Sequence, residues 1–194
     1  KHKKKKVVYN LNYNLFLKFI LILKNIDKKL IYLSTAYVYP KNTRTACNEN
    51  MKLNFSNYKE IYPYSKYKAE KAIIKNLKKN SYLILRLGAI YGLKKPSNFL
   101  DRCLNNIIKR KNILFTEPLS IKFNFMHIDQ LTDCINFFIK KNFSGIYNVG
   151  NFNNITLREL IVNIKKLYPK SKILIKKENL KKKNFYINLS LSKL

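Results

Sequence analysis

Tyr62 and Lys66 stand four residues apart, and so do Tyr64 and Lys68, within the stretch YPYSKYK at 62–68. Side chains four apart on a helix share one face. A free phenol ionises near pH ~10, and a neighbouring ammonium favours its ionised form, so either tyrosine could become an acid or base usable near neutrality. Proximity alone does not choose between them. The 194 residues contain 14 Tyr and 40 Lys+Arg, so this spacing also arises as a plain solvated helix face.

A working pair needs a helix to carry it and strands to face it. Pro63 at a first helical position predicts a helix through Lys79, with Ala69, Ala72, Ile73 and Leu77 on one side. Before it, residues 29–35 (KLIYLST) form a short apolar run ending in the hydroxyls of Ser34 and Thr35, which reads as a buried parallel strand. After it, residues 81–92 (SYLILRLGAIYG) read as a second buried strand ending at glycines.

The rest alternates in the same way. Val7, Val8, Leu11, Leu15, Phe16, Phe19, Ile20 and Leu23 repeat at helical spacing, with apolar residues on the opposite side as well, so residues 7–25 predict a helix buried on two sides. Residues 39–60 are a polar loop. Residues 96–112 predict a helix, 121–128 an alternating strand, and 129–141 a helix with Asp129 as its N-cap. A strand and turn at 145–151 precede Thr156 and Glu159, a capping box for a helix to about Leu167. Residues 172–177 offer a last strand, and the lysine-rich tail reads as partly loose. Strands alternating with helices imply an α/β fold with a parallel sheet, and no repeat at solenoid periods is present.

Composition bounds the partners. The formal net charge of +30 would ordinarily suggest nucleic acid, which stays as an alternative. However, the lysines are spread along the chain and only five residues are Arg, the better reader of phosphates and bases. Cys47, Cys103 and Cys134 are odd in number and lack CxxC spacing, which supports neither a disulfide framework nor a metal site and suits a reducing cytoplasm. Residues 15–23 (LFLKFILIL), behind a lysine-rich start, imitate a signal peptide, but Lys18 interrupts the run and no small-residue cleavage site follows. The run is also short of the ~20 residues a membrane span needs.

The order of these segments resembles the extended short-chain dehydrogenase/reductases, the NAD-dependent epimerase/dehydratase family. In that family a Ser-Ser/Thr-x-x-Val-Tyr-Gly strand end is followed by Tyr-x-x-Ser-Lys with a Glu four residues on, and then by Arg-x-x-x-x-Tyr-Gly. The matching residues are Ser34, Thr35, Val38 and Tyr39; Tyr62, Ser65, Lys66 and Glu70; and Arg86, Tyr91 and Gly92. Only the Tyr62 register puts Ser65 before the lysine and Glu70 after it. FMHIDQL at 125–131 and GIYNVGNFNNITLREL at 145–160 resemble later family segments, so the likeness covers nearly the whole chain.

The resemblance implies the C-terminal part of a Rossmann-type parallel sheet with helices on both faces, plus a small α/β substrate domain. Residues 1–92 and 121–142 would be the partial NAD(P)-binding domain, and 93–120 and 143–194 the substrate-binding one. Tyr62 would be the acid/base, Lys66 would hold the nicotinamide ribose and lower the Tyr62 pKa, and Thr35 would hydrogen-bond the reacting oxygen. Asn10 and Gly88 would lie at the cofactor, NAD or NADP, and Ala89 with Thr35 and Tyr62 at the substrate, a nucleotide-sugar by the leading reading. The helix at 7–25 and the Tyr62 helix would form a homodimer. Strand end, pairing and cap have bland alternatives: Thr35 simply ends a strand, Asn10 is one Asn among many, His127 satisfies backbone near the sheet edge, and Asp129 caps.

The sequence also departs from the family pattern. Its four glycines are Gly88, Gly92, Gly145 and Gly150, so the glycine-rich turn that lets backbone approach a pyrophosphate has no counterpart. The expectation is an N-terminally truncated enzyme, inactive alone, or a degenerate homologue with a structural or binding role. Phe123 stands where an Arg often binds the diphosphate and Ala89 where many sugar-nucleotide members have Asn. The STAYV stretch at 34–38 also resembles reductases of acyl or steroid substrates, and epimerase, dehydratase and reductase remain open.

Overall fold

The structure, a computed structural model, describes residues 2–40, 45–53, 60–92, 98–175 and 187–193. The chain opens on one long helix in three parts: α1 (His2–Tyr9), a π-helical segment (Asn10–Leu15) and α2 (Phe16–Leu23). The expected helix over 7–25 is therefore present, starts earlier, and contains a widened turn of the kind found at functional sites. Only one side is buried within the chain. Ile20 is fully covered, whereas Val7, Leu11, Leu15, Phe19 and Ile22 are 47–61% exposed, so the second apolar side has no cover among the described residues.

Next come β1 (Leu30–Thr35), a 3₁₀ turn at Ala36–Val38, and α3 (Ile61–Asn76). The helix starts two residues before Pro63 and ends three before Lys79. Within α3 the side facing the sheet is small or apolar, with Ala69, Ala72 and Ile73 buried. The stretch read as one strand at 81–92 is two, β2 (Tyr82–Leu87) and β3 (Ala89–Tyr91), divided at Gly88. There follow α4 (Phe99–Ile108), β4 (Ile113–Phe115), β5 (Lys122–Phe123), β6 (Phe125–His127), α5 (Ile128–Lys140), β7 (Gly145–Val149), β8 (Ile155–Thr156), α6 (Leu157–Leu167) and β9 (Ile173–Ile175).

β1, β2 and β7 make a parallel sheet in that order. All six β2 residues are buried, as a continuous apolar strand between two helical layers should be. Tyr82 and Ile84 pack with Tyr32, Ile20, Ala69 and Ile73 on one face, and Leu83, Leu85 and Leu87 pack with Leu131, Phe138 and Val149 on the other. This is the Rossmann-type α/β arrangement expected. The strand at 145–149, grouped in the sequence reading with residues 143–194, hydrogen-bonds β2 in this sheet.

Beyond Gly88 the chain builds smaller pairings: β3 with β6 and β4 with β9, both parallel, and β5 with β8 antiparallel. Phe115, Leu157, Leu160, Ile164, Ile113 and Cys103 form their core. Two caps fix the helices here. Thr156 and Glu159 make the expected capping box of α6. At α5 the cap is His127 rather than Asp129: its Nδ1 accepts the Asp129 N–H at 3.3 Å and Gln130 closes the box, because the helix begins two residues earlier than an Asp129 cap would have it. At Gly92, φ is +92°, and a Cβ would overlap the His127 ring.

The lysine-rich residues 176–186 lie outside the described residues, but the segment after them is docked. Leu189 bridges to Cys47 in a parallel β-bridge and packs on Ala36, Val38 and Tyr39. Cys47 and Cys103 are buried and Cys134 is half-buried. Among the described residues no helix is long and apolar enough to cross a membrane.

Candidate functional site

The C-terminal ends of β1, β2 and β7 lie together, at Thr35, Gly88 and Gly150, and in open parallel sheets ligands bind beyond that edge. Thr35 ends β1 and starts the 3₁₀ turn by accepting the Tyr37 N–H at 3.3 Å. Its side chain lies close enough to Tyr62 to favour the ionised form of that phenol. Tyr62, in the first turn of α3, is 46% exposed. Lys66, one turn on, reaches the same strand end: Nζ donates to the Leu33 carbonyl at 2.9 Å and lies 4.7 Å from the centre of the Tyr32 ring.

The Lys66 ammonium is thus engaged by the Leu33 carbonyl and the Tyr32 ring. Burial, then the phenol of Tyr37, raise the Tyr62 pKa above its ordinary value, and the Thr35 side chain offsets them in part. The Lys66 pKa is lowered by burial, with Glu70 opposing.

The remaining predicted residues are distributed as follows. Gly88 and Ala89 line a cavity of about 330 Å³ with Ala36, Tyr37 and Phe123. A Cβ on Gly88 would lie 2.7 Å from Asn124 Oδ1, so it is this side chain that excludes a larger residue there. Asn10 opens the π-helical segment, is exposed, and accepts from Asn14 at 3.2 Å. The amide that reaches the Tyr62 helix is instead that of Asn12, donating to Ser65 Oγ at 3.1 Å. Among the described residues no cluster of His, Cys, Asp and Glu could hold a metal.

The other motif residues build something different. Ser34 Oγ hydrogen-bonds Glu70, which takes Arg86 Nη2 at 2.8 Å and Nε at 3.2 Å. Arg86 Nη1 donates to the Tyr39 hydroxyl at 2.9 Å, and that hydroxyl donates to Asn148 Oδ1 at 2.8 Å. The Asn148 amide donates in turn to the carbonyls of Cys47 and Ser190, each at 2.9 Å. Each of these side chains from Ser34 to Asn148 is buried. The network joins α3, all three strands and the C-terminal segment, and so fixes the helix carrying Tyr62 and Lys66 against the strand carrying Thr35.

Sequence reasoning missed Tyr32, Tyr37 and Asn124. Tyr37 lies next to the Thr35 strand end and could have been suspected; Asn124 interrupts an alternating strand and shows only as the break between β5 and β6.

A model of the NAD dependent epimerase/dehydratase family matches residues 2–150. No curated protein matches. Among solved structures, an NAD-dependent NDP-hexosamine 5,6-dehydratase of tunicamycin biosynthesis superposes with a TM-score of 0.81, at 15% identity, over 97% of this chain and 62% of its own. A UDP-glucuronic acid 4-epimerase from Bacillus cereus, solved with UDP-glucuronic acid and NAD, gives 0.75 at 21%, over 94% and 59%. A dTDP-4-dehydrorhamnose reductase from Bacillus anthracis, solved with NADP, gives 0.73 at 23%, over 89% and 58%. At these identities the likeness is one of fold. The chain spans about 60% of the length of these three structures.

Proposed function

Because the chain belongs to the NAD dependent epimerase/dehydratase family, we propose that it carries the proton-transfer site of an NAD(P)-dependent enzyme acting on a nucleotide-sugar. The observation that supports this most is the placement of Tyr62 beside Thr35 at the C-terminal edge of the sheet, with Lys66 anchored two residues back on the same strand. Thr35 holds the substrate oxygen, and Tyr62 donates a proton to it as a carbonyl is reduced or takes one as a hydroxyl is oxidised. When bound, NAD(P) supplies the hydride donor or acceptor, and Tyr62 and Lys66 are the residues that would hold its ribose.

The residues fit only that end of the cofactor. The glycines all lie beyond residue 87, and the spaces beside Gly88 and Gly150 are filled by the Asn124 side chain, so neither cradles a pyrophosphate. Titration of the chain with NAD should accordingly show only weak, millimolar binding; a micromolar dissociation constant would contradict this. The function itself is tested by following NAD(P)-dependent conversion of nucleotide-sugars at millimolar cofactor, where weak binding is offset by mass action. Turnover that Tyr62→Phe leaves unchanged would reject the assignment.

The division of labour is between the β1–β2–β7 sheet with its helices, which holds the cofactor end, and the segments around α4, α6 and the short strand pairs, which hold the substrate. A homodimer formed through the exposed side of the opening helix and α3 accounts for the apolar residues Val7, Leu11, Leu15 and Phe19 that a lone chain leaves in water. Sedimentation at micromolar concentration should give a dimer and Leu11→Glu a monomer; a wild-type monomer would refute this arrangement.

A further inference from the structure

The cavity beside Tyr37 and Ala89, about 330 Å³ in volume, is at the small end of the ligand-pocket range of about 300–1,000 Å³. It can take one sugar-sized ring and leaves the rest of a larger ligand outside. Its wall is apolar, with Leu87, Ala89, Phe99, Phe123, Ile187 and Leu189 facing it. The aromatic side is braced: Phe99 and Phe123 stack at 5.1 Å and 10°, and Phe123 stacks again on Phe125 at 5.2 Å and 16°. The opposite side is contributed by the C-terminal segment, held by the Asn148 amide through the Ser190 carbonyl.

The polar residues bordering the cavity, among those described, are Tyr37, Asn124, Glu117, Arg102 and Lys122. Asn124 is already committed. Its Oδ1 accepts the Asn151 N–H at 2.9 Å, and its Nδ2 donates to the Asn151 carbonyl at 2.7 Å and to Asn154 Oδ1 at 3.1 Å. Glu117 accepts the Thr116 N–H at 3.1 Å. Arg102 and Lys122 are exposed, and neither forms a salt bridge among the described residues. The interior thus offers few partners for hydroxyl groups, while the rim offers two cations.

We propose that this cavity receives a hydroxyl-poor ring, a deoxy sugar rather than a fully hydroxylated hexose, with its diphosphate lying outside against Arg102 and Lys122. The proposal rests on the nucleotide-sugar reading above and narrows it. A hydroxyl turned to the Leu87, Phe99, Phe123 and Leu189 side of the wall gives up its hydrogen bonds to water and finds none in return. A methyl group or hydrogen in its place meets phenyl and aliphatic carbon. Apolar pockets discriminate against one added hydroxyl by roughly 10- to 100-fold.

The test is calorimetric titration of the chain with UDP, UDP-glucose and UDP-6-deoxyglucose, and with the matching thymidine diphosphate series. The 6-deoxy sugar should bind at least about tenfold more tightly than its hydroxylated counterpart. Arg102→Gln should weaken the bare diphosphate and both sugars alike and leave their ratio unchanged. Leu189→Asn, which puts an amide into the wall, should narrow the ratio, and Ala89→Ser does the same with a single added atom if the larger change prevents folding. Equal or tighter binding of the glucose compound overturns the proposal and leaves the nucleotide-sugar reading standing. Failure of every diphosphate and sugar to bind removes that reading, and the proposal with it.

Discussion

Glu70→Ala should destabilise the chain by about 3–5 kcal/mol, the loss expected when one member of a buried ion pair is removed. Glu70 and Arg86 side chains are 2% and 4% exposed, so the guanidinium left behind has no water to take over the contacts at 2.8 and 3.2 Å. Against a total stability of about 5–15 kcal/mol for an ordinary domain, such a loss removes a large fraction of the folded population. Urea denaturation followed by circular dichroism measures it. Replacing both residues by Met should destabilise less than Glu70→Ala alone, because no buried charge is then stranded. A single-variant loss below about 1 kcal/mol, the range of exposed ion pairs, would mean that the pair is reached by solvent.

Tyr62→Phe should do the reverse, leaving the fold and removing the chemistry. The ring stays and only the half-exposed hydroxyl goes, a change of about 1 kcal/mol at most. Loss of a positioned acid or base lowers turnover by about 10²–10⁴-fold. The expected result is therefore a near-normal melting curve with turnover at background. Lys66→Met should leave the proton-transfer step closer to wild type and raise the KM for cofactor, since Lys66 is bonded to Leu33 and Tyr32 rather than turned to the phenol. A Tyr62→Phe variant with both wild-type stability and wild-type turnover would remove Tyr62 from the reaction.

The architecture was legible because its signals are local. Apolar runs gave β1, β2 and β7, and the Thr156–Glu159 pair gave the start of α6. In the structure the Tyr62 side chain lies near the Thr35 strand end, whereas the Tyr64 ring stacks on Tyr9. What the motifs are for was only half legible. Ser34, Tyr39, Glu70, Arg86 and Asn148 look like members of an active-site series, yet the structure uses them as one buried polar network. Tyr39 and Asn148 are 109 positions apart, a contact that no local pattern encodes.

Orientation was the other failure. Helical spacing places Lys66 on the face of Tyr62, but it does not say that a carbonyl and an aromatic ring of β1 compete for its ammonium. Likewise the continuous apolar run at 82–91 hides the break at Gly88, where the backbone leaves β7 for Asn124: Gly88 N–H still bonds Val149, and the next N–H bonds Asn124. Break and cap alike depend on partners supplied by the fold.

The most direct measurement is the pH dependence of kcat/KM for substrate oxidation, which reports the acid and base of the free enzyme. With the Tyr62 phenol held above its ordinary pKa by burial and Tyr37, kcat/KM should climb into the alkaline range as the phenolate forms. That rise should be missing in Tyr62→Phe. The same alkaline limb at the same rate in wild type and Tyr62→Phe would show that another group transfers the proton.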